Sequence, residues 1–260
     1  MGRCMRWLLA IPGFLLCLPA WAAPTCAVQS GATRLPLVEL YTAEGCNQCP
    51  PADRWLGTLA AGSKDAAALA FHVDYWNDDG WVDPFSDAAY TQRQSYRVRL
   101  AHKKALVTPQ VMVGANSTVD WRVPSTVKRV LTTARQGAPE VALSLSGTVT
   151  GDHAELQLSA RPSTQAKLGD EAPMLWLALY QEGADSRITA GENRGVSLHH
   201  TNVVRKLAGP WKLEQTGTQG SVSIPLRDLD PAGLGVVLFA ESPTDARTLQ
   251  SVVLRLRDCR

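Results

Sequence analysis

The sequence lacks several features that mark whole classes of protein. It has 26 lysines and arginines against 24 aspartates and glutamates, and no basic patch dominates. This balance argues against nucleic acid or an anionic membrane as the main partner. A zinc site needs about four ligands, whereas the chain has a single Cys-x-x-Cys pair, so we expect no metal site. No Met-rich tract supports copper handling, and no internal repeat is evident.

The first 22 residues have the pattern of a secretory signal peptide. Arg3 and Arg6 supply a charged start, residues 7–18 form an apolar core, and residues 20–22 suit cleavage between small side chains. The core is short for a membrane span, and no second hydrophobic segment supports one. We therefore expect a bacterial periplasmic or secreted protein with no stable membrane association after removal of residues 1–22.

Four cysteines remain after the predicted cleavage, namely Cys26, Cys46, Cys49 and Cys259. Four cysteines permit three pairings. In an oxidising compartment Cys46 and Cys49 are the local pair, which leaves Cys26 and Cys259 at opposite ends of the chain. Chain termini often lie close together on a folded surface, so we expect a structural Cys26–Cys259 disulfide. The alternative is two free terminal thiols, which an oxidising compartment disfavours.

The chain is organised around the cysteine pair near residue 46. An apolar run suited to a buried strand leads into a turn at Gly45 and then into Cys46 and Cys49. Pro50 and Pro51 fit best in the first turn of a helix, so the helix should start after Cys49. Such a pair can close a redox-active disulfide. Cys46 is the predicted nucleophile, because the first cysteine is normally the more exposed one, and Cys49 would resolve the mixed disulfide.

A second segment, residues 107–113, opens an apolar strand with a proline, which is unusual because Pro109 cannot donate to a sheet ladder. Together with the cysteine pair it resembles the active site of the thioredoxin fold, where a cis-proline lies beside Cys-x-x-Cys. The resemblance implies a catalytic role for Pro109 and a cis bond that leaves the Thr108 backbone available to a substrate strand. The alternative is a tight turn. Trp76 and Trp81 either frame a substrate groove or plug the core.

The order of predicted elements in residues 35–137 is strand, helix, strand, helix, hairpin and helix, which is the thioredoxin layout. Ser86 is the predicted cap of the second helix, and residues 106–121 are the predicted hairpin. After Pro139 the pattern changes to alternating hydrophobicity in short segments, which indicates a β-sandwich. We therefore predict an α/β thioredoxin-like domain at 35–137, with a mixed sheet and flanking helices, and an all-β sandwich-like domain at 139–258.

Several longer motifs resemble the DUF1223 family. They are Val-Glu-Leu-Tyr-Thr-x-Glu-Gly-Cys-x-x-Cys-Pro-Pro-Ala-Asp from Val38, Phe-His-Val-Asp-Tyr-Trp from Phe71, Gly-Trp-x-Asp-Pro-Phe from Gly80, Tyr-Thr-x-Arg-Gln from Tyr90 and Gly-Glu-Asn-Arg-Gly from Gly191. Together they span nearly the whole mature chain. The resemblance implies a thioredoxin-like fold and export in bacteria, but no particular reaction.

Three functions fit these observations. The first is a thiol–disulfide oxidoreductase that needs no cofactor, acts on protein thiols or disulfides and works with an unidentified redox partner. The second is a non-catalytic binding module in which Cys46–Cys49 stays closed. The third is a copper-handling protein, because a reduced dithiol near a histidine suits Cu(I).

The sequence also predicts positions for six polar residues outside the cysteine pair. His72 lies inside an apolar run and is expected in the core, whereas His199 and His200 are expected at the surface of a loop. Glu192, Asn193 and Arg205 are candidates for bridging the two predicted domains.

Overall fold

A computed structural model describes residues 26–62, 64–115, 118–163 and 171–259. The predicted signal peptide, residues 1–22, lies outside these ranges. No helix within the described ranges combines the length and the apolar character needed to cross a membrane.

The N-terminal part alternates strands with three helices. Its elements are β1 (Cys26–Gln29), β2 (Leu37–Thr42), α1 (Pro50–Gly62), β3 (Ala67–His72), α2 (Ala88–Leu100), β4 (Gln110–Val113) and α3 (Pro124–Arg135). Helix α1 begins directly after Cys49, as the two prolines predict, because the first helical turn needs no backbone N–H donor.

Two local predictions were wrong in this part. Asp87, not Ser86, caps α2, and its side chain accepts a hydrogen bond from the Ala89 backbone N–H. Residues 118–121 form no strand, although the Val119 N–H donates to the Val111 carbonyl at 2.9 Å. One backbone bond is too little to establish a strand ladder, so the predicted hairpin reduces to β4 and a returning loop.

The C-terminal part consists mainly of strands. They are β5 (Val141–Thr150), β6 (His153–Pro162), β7 (Met174–Arg187), β8 (Ser197–Lys212), β9 (Thr218–Pro225), β10 (Leu234–Glu241) and β11 (Thr248–Arg255). Of these, β5 and β6 show the predicted alternation of buried and exposed residues. The chain as a whole is mixed α/β, with more strand than helix.

Two sheets organise the molecule. The larger has the strand order β11-β10-β7-β8-β3-β2-β4, and the smaller has the order β1-β5-β6-β9. Strands β3 and β8 are joined in parallel where Ala70 lies opposite Val203, so one sheet runs through both predicted domains. Strand β1 pairs with β5. Both ends of the described chain therefore belong with the C-terminal strands.

The cores follow from this layering. Leucines of the small sheet, such as Leu145 and Leu156, cluster with Leu177 and Leu238 of the large sheet, so the C-terminal half is two sheets packed face to face. In the N-terminal half, one face of the large sheet packs on α2 and the other on α1 and α3. The cysteine pair lies in the α2-side core together with Tyr41.

A buried charge network ties α2 to the large sheet. Arg93 pairs with Glu39 at 2.8 Å and with Glu241 at 2.9 Å, and Arg97 also binds Glu39. The Tyr41 hydroxyl donates to Glu39 at 2.6 Å. Burial alone would raise the pKa of Glu39, but the two arginines outweigh it and lower the pKa to about 2.

The Glu39→Gln variant is expected to be less stable by roughly 3 kcal/mol at pH 7, since one pKa unit corresponds to about 1.4 kcal/mol. The folded-state pKa of Glu39 lies below the ordinary glutamate pKa of 4.5, so this contribution to stability is present above pH 4.5 and is lost as the pH falls toward 2. Urea unfolding at pH 7, 4 and 3 would measure how far the free energies of unfolding of the wild type and Glu39→Gln converge as the pH falls. Glu155→Gln, which changes an exposed carboxylate, is the control. A difference in free energy of unfolding between the wild type and Glu39→Gln that does not change with pH would contradict the expectation.

Candidate functional site

Cys46 and Cys49 form a disulfide in the turn between β2 and α1. The turn is closed by backbone hydrogen bonds from Cys46 N to Ala43 O and from Cys49 N to Cys46 O, both 3.2 Å. Cys46 is 1% exposed and Cys49 is fully buried. The expectation that Cys46 faces solvent is therefore wrong for this closed form of the site.

The loop that carries Glu192 and Asn193 covers this turn and is hydrogen-bonded to it, which explains the burial of Cys46. The Asn193 side-chain amide donates to the Glu44 carbonyl at 2.7 Å and to the Cys46 carbonyl at 3.0 Å. Glu192 accepts a hydrogen bond from the Asn47 backbone N–H at 3.3 Å. The prediction that Glu192 and Asn193 bridge the two halves is confirmed, and the residues they reach belong to the cysteine turn itself.

Trp76 connects the cysteine turn to the Pro109 segment. The Thr108–Pro109 peptide bond is cis. The Trp76 indole N–H donates to the Thr108 hydroxyl at 2.7 Å. At its other end Trp76 lies so close to Gly45 that a Cβ added there would come within 3.2 Å of the Trp76 Cβ. One half-buried tryptophan thus spans from the residue before Cys46 to the residue before Pro109.

Trp81 is held by a buried carboxylate. Its indole N–H donates to Glu44 Oε2 at 2.7 Å, and Glu44 is fully buried. The hydrogen-bonding ends of both Trp76 and Trp81 thus point inward, as in a core plug. Both rings nevertheless stay partly exposed, so they also border the surface next to the cysteine turn.

His200 occupies the core, and its predicted surface position was wrong. It is 1% exposed, and its Nε2 lies 2.9 Å from Glu44 Oε1. The neighbouring His199 is exposed and pairs with Asp185 at 2.7 Å. Successive residues of a strand point to opposite faces, which separates the two histidines. The alternation of His200 with the buried Leu198 was the sequence signal that could have located it.

His72 lies in the core, as predicted, and is ion-paired there. Its Nδ1 is 2.7 Å from Asp83 Oδ2, an oxygen that also accepts the Glu44 backbone N–H at 2.8 Å. Burial alone would lower the pKa of His72, but the Asp83 carboxylate outweighs it and raises the pKa above its ordinary value. Burial would likewise raise the pKa of Asp83, whereas the His72 contact lowers it. The pair therefore favours its charged form.

Asp53 joins the same cluster from α1, and its importance was not recognised in the sequence. It is 7% exposed, and its Oδ2 lies 4.0 Å from His200 Nδ1. Burial raises the pKa of Asp53, and the nearby His72 and His200 offset part of that rise. A buried group of three carboxylates and two imidazoles thus lies beside the cysteine turn.

Among the residues that the structure describes, no group of three or more histidine, cysteine, aspartate or glutamate side chains is arranged to hold a metal ion.

Comparisons with known proteins give a family and a fold. A family model described as a protein of unknown function (DUF1223) matches residues 37–241. A crystal structure of an Agrobacterium tumefaciens protein from a structural genomics consortium is 24% identical, with a TM-score of 0.57 over 84% of this chain and 93% of that chain. HBP35 of Porphyromonas gingivalis is 12% identical, with a TM-score of 0.65 over 88% of this chain and 77% of that chain. A search of curated proteins found no match.

Proposed function

The chain belongs to the DUF1223 family, and from that premise we propose that it is a thioredoxin-like thiol–disulfide oxidoreductase of the bacterial periplasm or of the secreted fraction. Its reactive group would be the Cys46–Cys49 pair. Its partners would be protein thiols or disulfides together with a second redox protein that restores the pair.

One observation carries this proposal. A disulfide closes the turn ahead of α1, and Trp76 links that turn to the cis Thr108–Pro109 segment. The arrangement of β2 and β3 as a parallel pair, with β4 antiparallel on the other side of β2, supports the thioredoxin-like description. The exported location rests on the signal-like residues 1–22.

The proposed chemistry is thiol–disulfide exchange. A substrate thiolate attacks the Cys46 sulfur, the Cys46–Cys49 bond breaks, and its electron pair moves to the Cys49 sulfur. A second substrate thiolate then attacks the mixed disulfide and releases Cys46. The substrate dithiol loses two electrons and becomes a disulfide, while the enzyme disulfide gains them. The reverse sequence reduces a substrate disulfide.

A second candidate is a binding module with a permanently closed disulfide, and the burial of both cysteines favours it. The oxidoreductase requires that the loop carrying Asn193 moves away before a substrate reaches Cys46. The binding module requires no such motion. The accessibility of the pair in the folded protein therefore separates the two functions.

A redox titration of the folded protein tests the proposal. The protein is equilibrated in buffers of reduced and oxidised dithiothreitol, quenched with an alkylating reagent and mapped by mass spectrometry. The Cys46–Cys49 peptides are expected to change reversibly between closed and alkylated forms, while Cys26–Cys259 stays closed and serves as the internal control. If the Cys46–Cys49 bond opens only when the protein unfolds, the result would contradict the oxidoreductase function and favour the binding module.

The Asn193→Ala variant is expected to expose the cysteine pair. Removing two hydrogen bonds to the cysteine turn should favour the open loop by about 1.4 kcal/mol, which corresponds to about a tenfold faster reduction of Cys46–Cys49 by dithiothreitol. Stopped-flow tryptophan fluorescence would follow the rate. Arg194→Ala, at the exposed neighbouring position, is the matched control. Equal rates for both variants would show that this loop does not limit access.

A further inference from the structure

Two buried imidazole nitrogens beside the cysteine turn have no hydrogen-bond partner among the described residues. They are His72 Nε2 and His200 Nδ1, on side chains that are at most 1% exposed. The other nitrogen of each ring is engaged, by Asp83 for His72 and by Glu44 for His200. The rings contact each other edge to face, with centroids 4.8 Å apart. A buried polar atom without a partner is costly and points to a functional role.

Asp53 connects these imidazoles to the cysteine pair. Its backbone N–H donates to the Cys49 carbonyl at 3.1 Å, so the two residues lie one helical turn apart. Residues at positions i and i+4 share a helix face. The Asp53 carboxylate is also 4.0 Å from the unpartnered His200 Nδ1. Asp53 therefore approaches the imidazole pair from the helical turn that directly follows the resolving cysteine.

We propose that Asp53, with His72 and His200, forms a buried proton store that protonates Cys49 when the Cys46–Cys49 bond opens. The inference rests on the proposed oxidoreductase function and deepens it. A thiolate attacks the Cys46 sulfur, the disulfide bond breaks, and the electron pair moves to the Cys49 sulfur. The Asp53 carboxyl then gives its proton to that sulfur and becomes a carboxylate, and a doubly protonated His200 returns a proton from Nδ1 to Asp53 and becomes neutral.

The step is needed because Cys49 is fully buried. A charge left without compensation in such a place is strongly disfavoured, so its protonation favours opening of the bond. Burial raises the pKa of Asp53, which favours a protonated carboxyl ready to act as the donor.

Besides Asp53, the charged groups around the store come from three segments of the chain. Asp83 and Glu44 face the imidazoles as described, and Arg205 stacks on the Phe85 ring, which contacts both of them. Asp83 and Glu44 each accept hydrogen bonds from a backbone or indole N–H in addition to an imidazole. The His72 contact and the backbone hydrogen bonds lower the pKa of Asp83, whereas burial raises the pKa of Asp53, so Asp53 is the better proton donor of the two aspartates.

The test measures how fast dithiothreitol opens Cys46–Cys49 between pH 5 and 9 in the full chain. Asp53→Asn and His200→Gln are compared with Asp185→Asn and His199→Gln, which remove the exposed carboxylate–imidazole pair. At equal dithiothreitol thiolate concentration, Asp53→Asn is expected to slow opening about 100-fold, the scale of general acid catalysis, and to flatten the remaining pH profile. The control variants should match the wild type.

A structural role would not give this result. Asparagine removes a buried ionisable group, so Asp53→Asn should unfold at the same or a higher urea concentration than the wild type while reacting more slowly. If Asp53→Asn fails to fold, His200→Gln is used instead. It is expected to slow the opening of Cys46–Cys49 about tenfold. An unchanged rate and pH profile in the folded variant would overturn the proton store alone. A wild-type disulfide that dithiothreitol cannot open in the folded protein would overturn the oxidoreductase function and this inference together.

Discussion

The Cys49→Ala variant is expected to accumulate mixed disulfides with partner proteins, whereas Cys46→Ala should accumulate almost none. In the reducing direction the Cys46 thiolate attacks a substrate disulfide and joins the substrate to that sulfur, and Cys49 is the thiol of the chain that displaces it. Without Cys49, the complex persists. Expression in a bacterial periplasm, alkylation of free thiols, and non-reducing electrophoresis followed by mass spectrometry would show the trapped species.

The burial of the pair sharpens this expectation. In the closed form Cys46 is 1% exposed, so trapping requires that the loop carrying Asn193 opens. Combining Cys49→Ala with Asn193→Ala should therefore increase the trapped amount, while combining it with the exposed Arg194→Ala should not. Equal trapping by Cys46→Ala and Cys49→Ala would show reaction at both sulfurs and contradict the assigned roles.

Loss of the Cys26–Cys259 disulfide is expected to have the largest effect on stability. The bond joins residues 233 positions apart, and both cysteines are buried in the sandwich core. Cross-linking so long a loop lowers the conformational entropy of the unfolded chain, which stabilises the folded protein by about 5 kcal/mol on the chain-entropy relation. Urea unfolding of Cys26→Ala with the Cys46–Cys49 bond intact would measure the loss.

A set of variants separates the cross-link from side-chain packing. Cys26→Ala, Cys259→Ala and the double variant all lack the same bond, so the three should be destabilised equally. Additive losses would mean that the two side chains act through separate packing contacts. A loss below about 1 kcal/mol in every variant would contradict a stabilising cross-link between the chain ends.

Features that depend on neighbours in the sequence could be predicted. Pro50 and Pro51 set the start of α1, because proline tolerates the first helical turn and excludes the interior. Alternating hydrophobicity located β5 and β6, because a strand that packs on one face repeats every second residue. The spacing of Cys46 and Cys49 identified a local disulfide for the same reason, since three positions of chain cannot separate the sulfurs far.

Features that depend on distant pairing were decided by the tertiary structure. Strands β3 and β8 pair at Ala70 and Val203, so a single sheet contains strands of both predicted domains. No local sequence pattern encodes which strand pairs with which. The same pairing places β8 beside the cysteine turn, and so brings His200 to Glu44 across 156 positions of sequence. His200 is a core residue because β8 pairs with β3, and of its neighbours in the sequence only Leu198, on the same face of the strand, gave a weak signal of that location.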